Sequence, residues 1–174
     1  TYIISRSGDL IHKTYLRVTV PELSNSAAAR IAYTEDYPTK YLSYVNKFGH
    51  ALIESMTLKI GGVTMDTQYG EFLDVWSQLT MPTEKQDGYN AMIGAYDTDI
   101  DLEFNWRERT YYIPLQFFFC QHPGSALPLI ALQYHEVQLD FDFRNFQDLL
   151  CCNRNDNVRD LLNFTDENGV KIFA

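Results

Sequence analysis

Cysteine is scarce in this sequence: Cys120 and the adjacent pair Cys151 and Cys152 are all there are in 174 residues. An odd count with two neighbours is no disulfide framework, so a reducing compartment is the simpler reading. Basic charge is scarce too. Fourteen Lys and Arg stand against 23 Asp and Glu, a net charge of −9. A surface of that sign repels phosphate backbones and anionic lipid, which argues against direct nucleic-acid binding. The four histidines (His12, His50, His122 and His135) include no H-x-H pair, so a cupin-like metal centre lacks its ligands. A transmembrane segment is missing as well. The most apolar stretch, FFFCQHPGSALPLIALQYHEV from Phe117 to Val137, is cut by Gln121 to Gly124 and again by Gln133. It never reaches the roughly 18–20 continuous apolar residues that a spanning helix needs. No signal-peptide pattern is read at the start. The first residue is Thr1 rather than Met, so a processed or partial chain is expected.

What is present is apolar and aromatic. Hydrophobic residues make up 45% of the chain and aromatics 14%, with twelve Tyr and eleven Phe. That is a globular composition, enough for one core, and it favours packed strands over helical bundles. Residues 15–20 alternate, with Leu16, Val18 and Val20 on one face. Pro21 then stops the strand. Residues 21–50 read as a long loop with a short helix near Ala27 to Ile31. In 51–69, Leu52, Met56, Leu58 and Ile60 share a face that Glu54 interrupts. Gly61-Gly62 supplies the positive φ angles of a two-residue hairpin turn, and Val63 and Met65 continue the return strand. From Gly70 the period changes: Phe72, Val75, Trp76 and Leu79 form the stripe of an amphipathic helix ended by Pro82. Residues 82–99 read as another loop, with Asp87-Gly88 as its turn signal.

Strands return after residue 109. Tyr111, Ile113, Leu115, Phe117 and Phe119 alternate with Tyr112, Gln116 and Phe118, although Pro114 inside the run signals an edge or a bulge. Val137, Leu139, Phe141 and Phe143 alternate with acids and amides, one core face and one wetted face. We expect strands at 113–119 and 135–143 joined by a short helical crossover. Phe117, Phe119, Val137, Leu139 and Phe141 are assigned to one core. A short helix at 158–162 and a terminal strand at 170–174 complete the pattern. Strands separated by loops, with only short helices inserted, predict an all-β sandwich of the jelly-roll type.

Sites for chemistry are thin. Asp97, Asp99, Asp101 and Glu108 fall at positions 1, 3, 5 and 12 of a calcium loop, but Leu102 stands where the bend needs glycine. Cys120 and His122, followed by Cys151-Cys152, lack the paired spacing of structural zinc. His135-Glu136 would point to opposite faces of a strand and so could not converge on a substrate; a core or interface histidine is the expected role. Gly124-Ser125-Ala126 lacks a nucleophile elbow. Asn163-Phe164-Thr165 matches a glycosylation sequon, a match close to chance that the cysteine usage speaks against. No catalytic residue and no cofactor is expected.

Three segments together carry a resemblance: SRSGDLI (5–11), ALIESMTLKIGGVTMDTQY running into EFLDVWSQLTMPTEKQDGYNAMIG (51–94), and IPLQFFFCQHPGSALPLIALQYHEVQL (113–139). They resemble the major capsid proteins of nucleocytoplasmic large DNA viruses, and DVWSQLTMPTEKQDGYNAMIG resembles the iridovirus-type branch. The resemblance implies a double jelly roll, of which residues 1–174 are an incomplete first barrel, with the second absent from this chain. It implies homotrimers that form pseudo-hexagonal capsomers of an icosahedral shell. The implied partners are neighbouring capsomers and minor capsid proteins. The implied location is the virion capsid, assembled in the host cytoplasm. The alternative class is a carbohydrate- or calcium-binding β-sandwich module, which the acidic loop and exposed tyrosines would serve.

Overall fold

The computed structural model describes residues 1–23, 42–96 and 107–152. The short helix read near 27–31, the helix at 158–162, the terminal strand at 170–174 and the acidic loop from Asp97 to Asp101 lie outside the described residues.

The chain is β-rich with helices. Its strands are β1 (Tyr2–Ile3), β2 (Leu10–Ile11), β3 (Tyr15–Val20), β4 (Leu42–Tyr44), β5 (Ile53–Ile60), β6 (Val63–Tyr69), β7 (Arg109–Pro114), β8 (Leu127–Pro128), β9 (Val137–Phe143) and β10 (Leu150–Cys152). The helices are α1 (Phe48–Leu52), α2 (Gly70–Thr80), α3 (Thr83–Ile93) and α4 (Phe118–Gln121), with 3-10 turns at Pro123–Ser125 and Phe146–Leu149. A four-stranded antiparallel sheet runs β1-β9-β5-β6, and three further pairs are β3-β7, β4-β10 and β2-β8.

The β5–β6 hairpin forms where the glycine pair demands it. Gly61 and Gly62 both have positive φ, 59° and 81°, a combination that suits a two-residue turn matching strand twist. Glu54 interrupts the apolar alternation for a physical reason. Ile53 pairs with Phe143 and Ser55 with Asp142, so Glu54 is the extra residue of a β-bulge. The bulge lets Ile53 and Met56 both face inward, and each is fully buried.

The main core lies between this sheet and the β3-β7 pair. Met56, Leu58, Val137 and Leu139 meet Ile113, Leu115, Phe117 and Phe119, with Leu16 and Val18 of β3 packed against them. A second cluster gathers Val20, Tyr44, Phe48, Tyr111 and Leu149 at one end.

Three expectations are corrected. The strand predicted over 113–119 ends at Pro114, and the last bond to the partner strand is the Leu115 N–H donating to the Thr14 carbonyl at 3.0 Å. Beyond it the backbone stays extended as far as Phe117, then makes the single turn α4. Phe117 and Phe119 stay buried beside Leu115 without strand pairing of their own, and they stack at 5.9 Å. The loop predicted from 82 holds the helix α3. Pro82 precedes its first residue rather than breaking it, and Gly94, at φ 76°, closes it in the left-handed cap. The helices are also not all short: α2 and α3 have eleven residues each, so an all-β description is too narrow.

The crossover after α4 is the 3-10 turn Pro123–Ser125 followed by β8, which pairs with β2. On β9 Val137 and Leu139 are buried, whereas Phe141 is only partly buried and Phe143 is half exposed. The alternation fades beyond Gln138 and Leu139, the residues of β9 that β1 flanks.

Candidate functional site

The amphipathic helix forms over 70–80, but its apolar stripe faces outward. Phe72, Val75 and Leu79 are 38%, 56% and 79% exposed, while the buried residues of α2 are Gly70, Leu73 and Ser77. The reason lies at the helix start. A Cβ on Gly70 would stand 2.3 Å from the His50 carbonyl oxygen and 2.4 Å from that of Ile53. Gly70 is thus pressed onto the α1–β5 junction, which fixes the helix's rotation and turns the small side inward. Phe72 and Trp76 stack at 5.8 Å on the outer side. An exposed apolar helix face of this kind marks a surface that meets something else.

Polar groups hold the inner side. Asp74 of α2 accepts from Lys47 Nζ at 2.7 Å and from Gln78 Nε2 at 3.1 Å. The buried His50 of α1 shares a 2.8 Å hydrogen bond with the Tyr89 hydroxyl of α3, and its Nδ1 lies 3.5 Å from Asp74 Oδ1. Burial pushes the His50 pKa down, against the pull of Asp74. Burial also opposes ionisation of Asp74, but Lys47's hydrogen bond and charge outweigh it and hold the carboxyl below its usual range. Burial pushes Tyr89 up to about 12, so its hydroxyl keeps its proton. The histidine count in the sequence gave no hint of this cluster, because its members come from three helices distant in sequence.

Beside α2 and α3 a cleft of 590 Å³ opens between the helices and the β3-β7 end, with Trp76, Met81 and Met92 facing Tyr15 and Pro114. Lys13, Glu84 and Lys85 stand among its lining residues. It is concave and mixed in polarity, and among the described residues no nucleophile, base and anion donors converge in it.

Among the described residues, those singled out in the sequence as candidates for chemistry are not brought together at one point. Phe117, Phe119, Val137, Leu139 and the partly buried Phe141 all belong to the main core. Glu108 is exposed, and its companions Asp97, Asp99 and Asp101 lie outside the described residues. Cys120 is buried, with its thiol pushed up by burial, and Cys151 is exposed. Among the described residues no group of three His, Cys, Asp or Glu stands close enough to hold a metal. His135 is exposed rather than in the core, on the turn that Arg6 ties by donating to the Gln133 and His135 carbonyls. Among the described residues no helix is long and apolar enough to cross a membrane.

Comparison with known proteins places the chain. The family profile described as major capsid protein N-terminus matches residues 1–166. The major capsid protein of Phaeocystis pouchetii virus is 38% identical over 175 residues, covering 86% of this chain and 32% of that protein. The major capsid protein of Invertebrate iridescent virus 3 is 34% identical over 153 residues, covering 84% of this chain and 32% of that one. A quasi-atomic model of the PBCV-1 virus capsid superposes with a TM-score of 0.62 at 29% identity, over 81% of this chain and 29% of that one. The chain spans about a third of the length of the curated relatives it matches.

Proposed function

Because this chain belongs to the major capsid protein family of large DNA viruses, we propose that it is part of a shell-forming subunit that works by self-association. The match of the family profile to residues 1–166 carries the proposal. The family is a structural one, and the proposal gives the chain no catalytic role and no cofactor.

The antiparallel sheet β1-β9-β5-β6 and the β3-β7 pair share one core. That arrangement supports reading residues 1–174 as an incomplete first jelly roll of a double jelly-roll subunit. The complete subunit would form a homotrimer, and trimers would meet as pseudo-hexagonal capsomers of an icosahedral shell, beside minor capsid proteins. A cyclic trimer needs a heterologous contact, in which one patch meets a different patch around the axis. The outward face of α2 is apolar enough to serve as one such patch toward a neighbouring copy. The net charge of −9 fits a wall that does not bind the genome directly. Assembly would take place in the host cytoplasm and the product would be found in the virion capsid.

The test is the virion itself. Peptides of this chain should be abundant in purified particles, and a reconstruction of the particle should place them in the outer shell. Purified particles free of the chain would overturn the proposal.

A further inference from the structure

Most cations of the described residues are engaged. Lys47, Lys59 and Arg144 are ion-paired with Asp74, Asp140 and Glu71. Arg6 donates to two carbonyls, Arg17 and Arg109 lie over the rings of Tyr112 and Tyr96, and Arg107 is engaged as well. Among the described residues, only the Lys13 and Lys85 side chains are left without a partner, and both are exposed. One precedes β3 and the other sits in the first turn of α3, yet both line the 590 Å³ cleft between the helices and the β3-β7 end. Lys85 stands where the helix dipole disfavours a cation, so folding of α3 gives no reason for its charge.

Much of the cleft wall is apolar. Trp76, Met81, Met92 and Pro114 line it, and each is only partly buried, so each keeps surface free for a ligand. Thioethers adapt to side chains of differing shape. The Gln116 side chain adds an amide that can pair with a peptide backbone. The volume lies within the roughly 300–1,000 Å³ of ligand sites. Two lysines beside one carboxylate, Glu84, suit scattered negative charge. They do not suit the dense charge of a phosphate chain, which the net charge of −9 would also repel.

We propose that this cleft docks an acidic peptide segment of a partner protein. Lys13 and Lys85 take its carboxylates, and the wall of Trp76, Met81 and Met92 takes an apolar side chain. Charge complementarity selects the occupant. An acidic chain repels an acidic segment over most of its surface, and here unpaired cations lie beside apolar surface, which steers the segment to one place. A basic segment would meet like charge at both lysines. The cleft lies within one chain, so a subunit that failed to trimerise would still bind the segment.

The test is phage display of random short peptides on the complete subunit. Enriched sequences should carry Asp or Glu beside Leu, Met or an aromatic residue. An enriched peptide, synthesised and labelled, should bind about tenfold more weakly to Lys13→Glu with Lys85→Glu, by fluorescence polarisation. Circular dichroism of that variant should match the wild type, because both side chains are exposed. Selection on the same variant should enrich Lys and Arg in place of the acids. Met92→Gln keeps the side-chain length but loses the apolar contact, so binding should weaken several-fold. No enrichment, enriched peptides without acids, or equal binding to the wild type and the double lysine variant would overturn the proposal. A short single-stranded oligonucleotide that bound the cleft more tightly than the peptide would overturn it in favour of nucleic acid. Should the double variant fail to fold, Lys13→Gln with Lys85→Gln decides in its place, and undiminished binding there overturns the proposal.

Discussion

Replacing Phe117 by alanine should hurt this fold far more than the same change at Phe141. Phe117 is fully buried and stacks on Phe119, with Ile113, Leu115 and Leu139 in the same core. Removing its ring forfeits the transfer energy of a whole aromatic side chain and leaves a cavity, together about 3–5 kcal/mol. Against a total stability of roughly 5–15 kcal/mol for a domain, that is a large fraction. Phe141 also faces this core but keeps part of its surface in water, with its ring stacked on the half-exposed Phe143. A gap there opens to solvent and costs less, about 1–2 kcal/mol. Denaturant unfolding of the complete subunit carrying each substitution measures both values. If Phe141→Ala destabilised as much as Phe117→Ala, the placement of the core between β9 and the 115–119 segment would be wrong.

The remaining expectations concern backbone, surface and metal. Gly70→Ala would drive a Cβ into two carbonyl oxygens that cannot move independently of the α1–β5 junction; lost soluble expression should result, and normal yield with an unchanged melting temperature would contradict the packing described. Gly94→Ala meets both a φ of 76° and the Tyr111 ring 2.4 Å away, so circular dichroism should register a clear loss of thermal stability. Val75→Ser with Leu79→Ser removes exposed apolar surface at a folding cost within about 0.5 kcal/mol each. Sedimentation should nonetheless report weaker assembly, and unchanged assembly would retire α2 as a contact. Chelator should leave the assembled state intact, and its dissociation on calcium removal would return attention to Asp97, Asp99, Asp101 and Glu108.

The elements whose signals are local were readable from the sequence. Gly61-Gly62 announces its turn because two positive φ angles are demanded within two residues, and 137–143 alternates because one sheet face is wet. The helix α3 was hidden: only Tyr89 and Ile93 are buried along it, so there is no stripe to read, and Pro82 and Gly88 look like breakers. The stripe of α2 was visible, yet its outward direction is set by contacts of Gly70 with carbonyls of α1 and β5. Periodicity says that a face is apolar, not what it meets. The run from Tyr111 to Phe119 is buried on alternate residues throughout, but pairing stops at Pro114; alternation reports burial and extended backbone, not ladder hydrogen bonds. His50 was the least legible, since its partner Tyr89 lies 39 residues away.

The central claim is that the chain belongs to a subunit whose work is to associate with copies of itself. Sedimentation of the complete subunit at micromolar concentration, without added metal or cofactor, tests it most directly. The account predicts a trimer; a strictly monomeric subunit over the accessible concentration range would contradict it.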